Sequence, residues 1–377
     1  MITKNTNRMT DGAAVNVLDF GAVGDGVTDD TAAIQAALDS GADEVIIKGG
    51  SYVLTSPLSI SSSISVSASV DTLLDFSGVP NAVSFSEIRL IGVNGSIDSS
   101  VALTADHLTG SSTITVADTS SFTAGDLILL KSNAYYSTGV STGSNRQGWL
   151  TYVESVDSGT LLSVANGAYA DLTTAQSASI SKVNPITVSW DGGSILGGGI
   201  GSGHDGLSLD HTSNSSVSNV KVDGCEGIGI GCYYSINVLV DHCDVFNCTS
   251  SATLGNSGYG FLAGSGSFGV TASNNEFRNC RHSVSGGGVA TVRGVSILNN
   301  RSFAGGRNSS DFDCHEPCFD WVFDGNTITQ GNSSNGGMVI RGKNVKIINN
   351  TFNGGNGILV QTFIVDTNGQ TGVLISG

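Results

Sequence analysis

Short apolar–polar alternations recur at nearly fixed intervals through the last third of the chain. Val270-Thr-Ala-Ser-Asn-Asn275, Val295-Ser-Ile-Leu-Asn-Asn300, Val322-Phe-Asp-Gly-Asn326 and Val345-Lys-Ile-Ile-Asn-Asn350 superimpose with steps of 25, 26 and 24 residues. Alternation with period 2 over four or five residues is the pattern of a strand, not of a helix. An apolar residue (Phe277, Phe303, Ile328, Phe352) and a Gly-rich stretch follow each run. One such repeat cannot bury its apolar face alone, so it must stack on its neighbours as a solenoid. Asn tolerates left-handed backbone and suits a tight corner. Stacked in register, these Asn side chains can also bond to each other up the column. The pattern predicts a β-helix.

A different pattern opens the chain. Asn16-Val-Leu-Asp-Phe-Gly-Ala-Val-Gly-Asp-Gly-Val-Thr-Asp-Asp30 leads into Thr31-Ala-Ala-Ile34, whose apolar side continues as Ala37 and Leu38. Asp29 or Asp30 can cap this short helix and Gly41 ends it. Asp25, Asp29 and Asp30 therefore read as turn and cap chemistry, and the helix as a lid on the end of a solenoid. Strands follow at Glu44–Lys48 and Ser51–Leu54. Residues 1–14 read as a polar tail or linker, and 15–103 as cap and first coils. Residues 104–183 break the repeat with hairpin text around Leu103–Val116 and Phe122–Leu130, a β insertion. Residues 184–377 are the main solenoid, resuming at Ile186-Thr-Val-Ser-Trp190. Its last phrase, Thr371–Gly377, has no visible cap, so a partner or further chain is expected to cover that end.

The stretch from Asn16 to Leu54 resembles the N-terminal signature of the pectate-lyase-like superfamily of right-handed parallel β-helix proteins. This form is common in bacteriophage tailspikes, polysaccharide depolymerases and alginate C5-epimerase modules. The resemblance implies an all-β, right-handed parallel β-helix with an N-terminal capping helix and a small β insertion. It further implies a homotrimer on a virion tail, or else an extracellular protein. The expected partner is a bacterial capsular, exo- or O-antigen polysaccharide.

Composition narrows the partners. The net charge of −16 argues against nucleic acid. The N-terminus lacks the apolar core of a signal peptide, and no apolar run approaches a membrane span. Seven irregularly spaced cysteines do not form a disulfide framework and read as small apolar residues on inward columns. Cys314 and Cys318 lack a second ligand pair nearby, so no metal and no cofactor is expected.

Between the Asn corners runs a second phrase, polar-Gly-apolar-x-apolar, at Asp205–Leu209, Glu226–Ile230, Tyr259–Ala263 and, degenerate, Arg281–Ser285. Stacking at strand spacing would put Asp205, Glu226, Tyr259 and Arg281 in one column, with His204 beside it. A flat, ridged, polar surface of this kind suits an extended saccharide. One repeat on stands Asp311-Phe-Asp-Cys-His-Glu316. If Phe312 and Cys314 point inward, alternation sends Asp311, Asp313 and His315 outward together. Arg281-His282 and Asp313-Cys-His315 resemble paired phrases of phage depolymerases. Tyr259-Gly-Phe261 with Asp313-Cys-His315-Glu316 resembles epimerase text, but there the two pieces are contiguous, Pro stands in place of Cys314, and the Arg-His phrase follows the Asp-x-His phrase instead of preceding it.

Paired carboxylates suit glycoside hydrolysis, so Asp311, Asp313 and Glu316 are the expected acid–base pool. His282, Arg281 and His315 would then orient substrate. The alternative is a lyase, with His315 or Tyr259 as base and Arg281 neutralising a uronate. A third reading is a glycan-binding β-helix without catalysis. His242 aligns with the corner residue Asn274 and reads as structural. His107 falls in the insertion.

Overall fold

The computed structural model describes residues 13–82, 88–135, 146–249, 258–303, 310–315, 317–329, 337–355, 357–360 and 372–377. Among these, three parallel sheets of 11, 10 and 9 strands stack along one axis. Each complete coil contributes one strand to each sheet, and the chain is a right-handed parallel β-helix. The four repeated phrases pair in register in the first sheet, where Ala272, Ile297, Phe323 and Ile347 form one inward column. All four belong to a core that runs the length of the solenoid.

The Asn corners form a continuous ladder. Asn274, Asn299 and Asn349 adopt left-handed backbone, with φ of 55°, 55° and 54°, and Gly325 takes the same role at 68°. The residue after each one points inward. Asn275 Nδ2 donates to Asn300 Oδ1 at 3.0 Å, Asn300 Nδ2 to Asn326 Oδ1 at 3.1 Å, and Asn326 Nδ2 to Asn350 Oδ1 at 2.8 Å. Each Oδ1 also accepts the backbone N–H of the preceding ladder residue. Cys243 begins the column and donates its N–H to Asn275 Oδ1. His242, with φ of 52°, holds the corner before it.

At the N-terminal end, the helix Thr31–Leu38 lays Ile34, Ala37 and Leu38 on the first coil. Asp29 caps it, accepting from the Thr31 N–H at 3.0 Å and hydroxyl at 2.6 Å. Asp30 instead turns back to accept from Val23 and Gly24 N–H. All seven cysteines are buried and free. Burial pushes the Cys232 and Cys243 thiols up to about 12, so they pack as apolar groups. No described helix is long and apolar enough to cross a membrane.

An antiparallel sheet departs from the solenoid between coils. Its central strand Leu127–Tyr135 pairs with Arg146–Ser158 and Ser179–Asn184. It has its own core around Trp149, Ile128, Leu130 and Ile180. It docks on the solenoid through Leu127, Leu129, Leu150 and Val183 against Ile236. Backbone bonds from Arg146 N to Val289 O and from Thr291 N to Gly148 O extend the contact. The Arg293 guanidinium, 3.5 Å over the Tyr169 ring, adds a cation–π contact.

Candidate active site

The outer face of the third sheet carries the titratable residues. Tyr259 pairs in register with His282, and their rings stack with centroids 5.5 Å apart and planes 9° apart. Arg281 lies beside them, its guanidinium 5.8 Å from the Tyr259 ring centroid. One strand on, Phe312 and Cys314 enter the core while Asp313 turns outward beneath His282. Arg341 Nη2 donates to both Asp313 oxygens, at 2.6 and 2.5 Å. His315 Nε2 lies 2.8 Å from Asp313 Oδ2 and 2.9 Å from Arg341 Nη2.

This arrangement fixes the charge of Asp313. Burial alone would push its carboxyl up, but the His315 hydrogen bond and the charges of His315, His282 and Arg341 outweigh it. The carboxyl is held well below the usual carboxylate range. His315 is different, with a third of its side chain exposed where Asp313 is almost fully buried. A guanidinium only donates. With Nε2 protonated, the imidazole donates to Asp313; with Nε2 bare, it accepts from Arg341. Either tautomer of the ring therefore has a partner at Nε2.

His282 is buried, and its Nδ1 donates to the Ser310 carbonyl at 2.6 Å, which leaves Nε2 bare toward Asp313. Burial pushes its pKa down to about 3, against the pull of Asp313. Because the unfolded imidazole titrates near 6.5, this group favours the native state fully above that pH. Its contribution is lost as pH falls toward 3. We expect His282→Gln to remove up to about 1.4 kcal/mol per pH unit of slope between these limits. Urea unfolding of both chains at pH 7, 5.5 and 4 measures it, and parallel curves would refute the assignment.

Several expectations from the sequence are corrected. Asp311 does not share the outward face. Ser283 and Val284 both donate to the Asp311 carbonyl, a bulge that breaks the alternation. Asp311 falls in the column of Gly206, Gly229 and Gly260, which faces the second sheet so closely that a Cβ on Gly260 would lie 2.7 Å from Phe277. Space for the carboxylate comes from Ser302, which replaces Phe277 and Ile328 of the adjacent rungs. Its hydroxyl donates to Asp311 Oδ1 at 2.9 Å and bonds Ser283 at 2.7 Å.

Glu226 also leaves its expected column. Leu207 pairs with Ile230 and Ile228 with Tyr259, so the true match is shifted by two residues. A slip of two preserves every face, which is why alternation could not detect it. Glu226 is buried, and its Oε2 accepts the N–H groups of Gly201 and Gly203 at 2.8 and 2.9 Å. His204 is buried too, between the Gly198 N–H and the Pro80 carbonyl. Arg281 precedes the column by one residue. Asp205 keeps its register but lies buried under Gly227. Glu316 lies outside the described residues.

Arg341 was missed because its rung, Gly336-Gly-Met-Val-Ile340, has no polar head. The available signal was the 26-residue step from His315, since Cys314 pairs with Ile340. A second group, Arg89, Asp210, Tyr233 and His211, extends the polar face. Asp210 bridges Arg89 at 3.0 Å and His211 at 2.6 Å. Tyr233 lies flat over Gly264, where a Cβ would fall 2.7 Å from its ring.

The fold recurs among phage proteins. The tailspike protein gp49 of Pseudomonas phage LKA1 superimposes with a TM-score of 0.72 at 22% identity, over 91% of this chain and 64% of that one. The Gp54 tailspike of Acinetobacter baumannii bacteriophage AP22, solved in complex with capsular saccharide, gives 0.66 at 15% identity, over 97% and 69%. The Pseudomonas phage phi297 tailspike gp61 gives 0.58 at 18%, over 95% and 76%. The chain thus spans just under two thirds of the LKA1 protein's length. No curated protein matches the sequence. The family model described as rhamnogalacturonase A/epimerase, pectate lyase-like, matches residues 14–286, ending one rung before Asp313. With well over half of its length matched, the chain belongs to this pectate lyase-like family.

Proposed function

We propose that the protein is a tailspike-type depolymerase that cleaves a bacterial surface polysaccharide on the outer face of its third sheet. The observation that carries this reading is the Asp313–His315–Arg341 constellation, in which a partly exposed imidazole is held by its Nε2 against a buried, ionised carboxylate and its guanidinium partner. The tailspike likeness supports placement on a virion tail, where a homotrimer is the expected form.

Among cleavage chemistries, β-elimination fits these residues first. Two-carboxylate hydrolysis requires a second acid facing the scissile bond, and Asp311 points into the core. In elimination, His315, with its Nε2–H donated to Asp313, takes the proton at C5 of a uronate on Nδ1, the C5–H electron pair forms the C4–C5 double bond, and the C4–O bond breaks. The departing oxygen then takes that proton from the imidazolium, which returns His315 to its starting form, and becomes a new chain end. Arg281 and Arg341 offset charge at the uronate, and ionised Asp313 stabilises the imidazolium. Hydrolysis, the reading favoured from sequence, keeps Asp313 as its ionised carboxylate and needs Glu316 as the partner acid.

Incubation with a panel of capsular and exopolysaccharides separates these outcomes. Reducing ends that appear together with the ultraviolet absorbance of an unsaturated uronate mean elimination. Reducing ends without that absorbance mean hydrolysis. Glycan retained with neither signal would overturn the enzymatic reading and leave a binding protein.

A further inference from the structure

Where the antiparallel insertion meets the solenoid, the two enclose a cavity of about 220 Å³. It is smaller than the roughly 300–1,000 Å³ that holds a drug-sized ligand, and suits one sugar ring. Lys131, Ser132, Arg146, Gln147 and Ser179 line it from the insertion, and Tyr234 from the solenoid. Two cations stand in this lining and no described Asp or Glu does, in a chain whose net charge is −16. Gln147 Oε1 is buried there without a hydrogen-bond partner among the described residues. An acceptor kept from water calls for a donor.

The cavity adjoins the candidate site. Val289, on its wall, follows Ser285 by four residues, and Ser285 is the register partner of Asp313. At strand rise Val289 is at most about 13 Å from Ser285, which lies one strand spacing of about 4.8 Å from Asp313, a span of a few linked sugars. Tyr234 stacks on His211, with centroids 5.2 Å apart, so its ring is a fixed wall.

We propose that this junction cavity is a secondary subsite for an acidic monosaccharide unit of the glycan. Lys131 and Arg146 meet its carboxylate, Gln147 Oε1 accepts from a ring hydroxyl, and the Tyr234 face packs against the ring. The insertion thereby selects for a uronate-type substituent at a fixed distance from the point of cleavage. The inference rests on the polysaccharide reading of the neighbouring face, but its site is separate.

The test is titration of the full chain with D-glucuronate and with D-glucose, followed by saturation-transfer NMR. Glucuronate is expected to bind the wild type, and at least fivefold more weakly the Lys131→Gln/Arg146→Gln chain. Arg341→Gln should retain cavity binding, and glucose should bind far less. Lys131→Gln alone, at an exposed position, should weaken binding at least twofold and guards against misfolding of the double variant. Undiminished binding in both cavity variants, equal binding of glucose, or no binding to the wild type would overturn the proposal. Polysaccharide cleavage is scored in parallel. Cleavage without cavity binding refutes the subsite alone, and cavity binding without cleavage of any polysaccharide refutes the depolymerase reading alone.

Discussion

An Asp313→Asn chain is expected to lose polysaccharide cleavage by about 10²- to 10⁴-fold while remaining folded. Asparagine keeps the shape of the side chain and can still accept from Arg341. It removes the fixed negative charge against which His315 takes up a proton. Asp311→Asn is the informative partner. Its carboxylate faces Ser302 inside the solenoid, and the amide oxygen can accept the same bond, so turnover should stay within about threefold of wild type because no group at the reacting face changes. The readout is initial rate on a cleaved polysaccharide, with melting temperature as a check on folding. If Asp311→Asn is inactive and Asp313→Asn is not, the roles assigned to the two carboxylates are reversed.

The second large effect concerns stability. Asn300 is fully buried and its side chain makes four hydrogen bonds. Two come from the Asn275 N–H and Nδ2, one goes to the Ala272 carbonyl and one to Asn326 Oδ1. Asn300→Ala strands those partners away from water, at about 1–3 kcal/mol for each group left unpaired. Neighbours relax in part, so the expected loss is about 4 kcal/mol, a large share of a typical domain's stability. Asn353→Ala, which removes one exposed 3.4 Å contact, should cost under about 0.5 kcal/mol. Urea unfolding of the two variants decides the matter, and similar losses would mean the ladder is incidental.

What could be read from the sequence divides by range. The Asn corners, the capping helix and the inward cysteines depend on short phrases whose own chemistry dictates backbone and burial, and the structure places them as the phrases imply. The pairing of Tyr259 with His282 was nearly visible, since Tyr259-Gly260 and His282-Ser283 hold matching places in their rungs. The fates of Asp311 and Glu226 were not. Asp311 depends on a bulge and on a serine nine residues earlier that opens space on another sheet. Glu226 depends on a register that period 2 leaves ambiguous. Arg341 reaches Asp313 diagonally across adjacent strands, a contact that only stacking reveals.

The Asn ladder has a consequence for how such a protein can diversify. The coils it ties together are those that carry His282, Asp313 and Arg341, one residue group to each. Deleting or adding a few residues within a coil would break the column of amides and strand buried donors. Removing or duplicating one whole coil leaves every amide with a partner and shifts the chemistry by a single step, about 4.8 Å. The coil, more than the residue, is therefore the unit in which this surface can be re-spaced to suit a glycan of different repeat length.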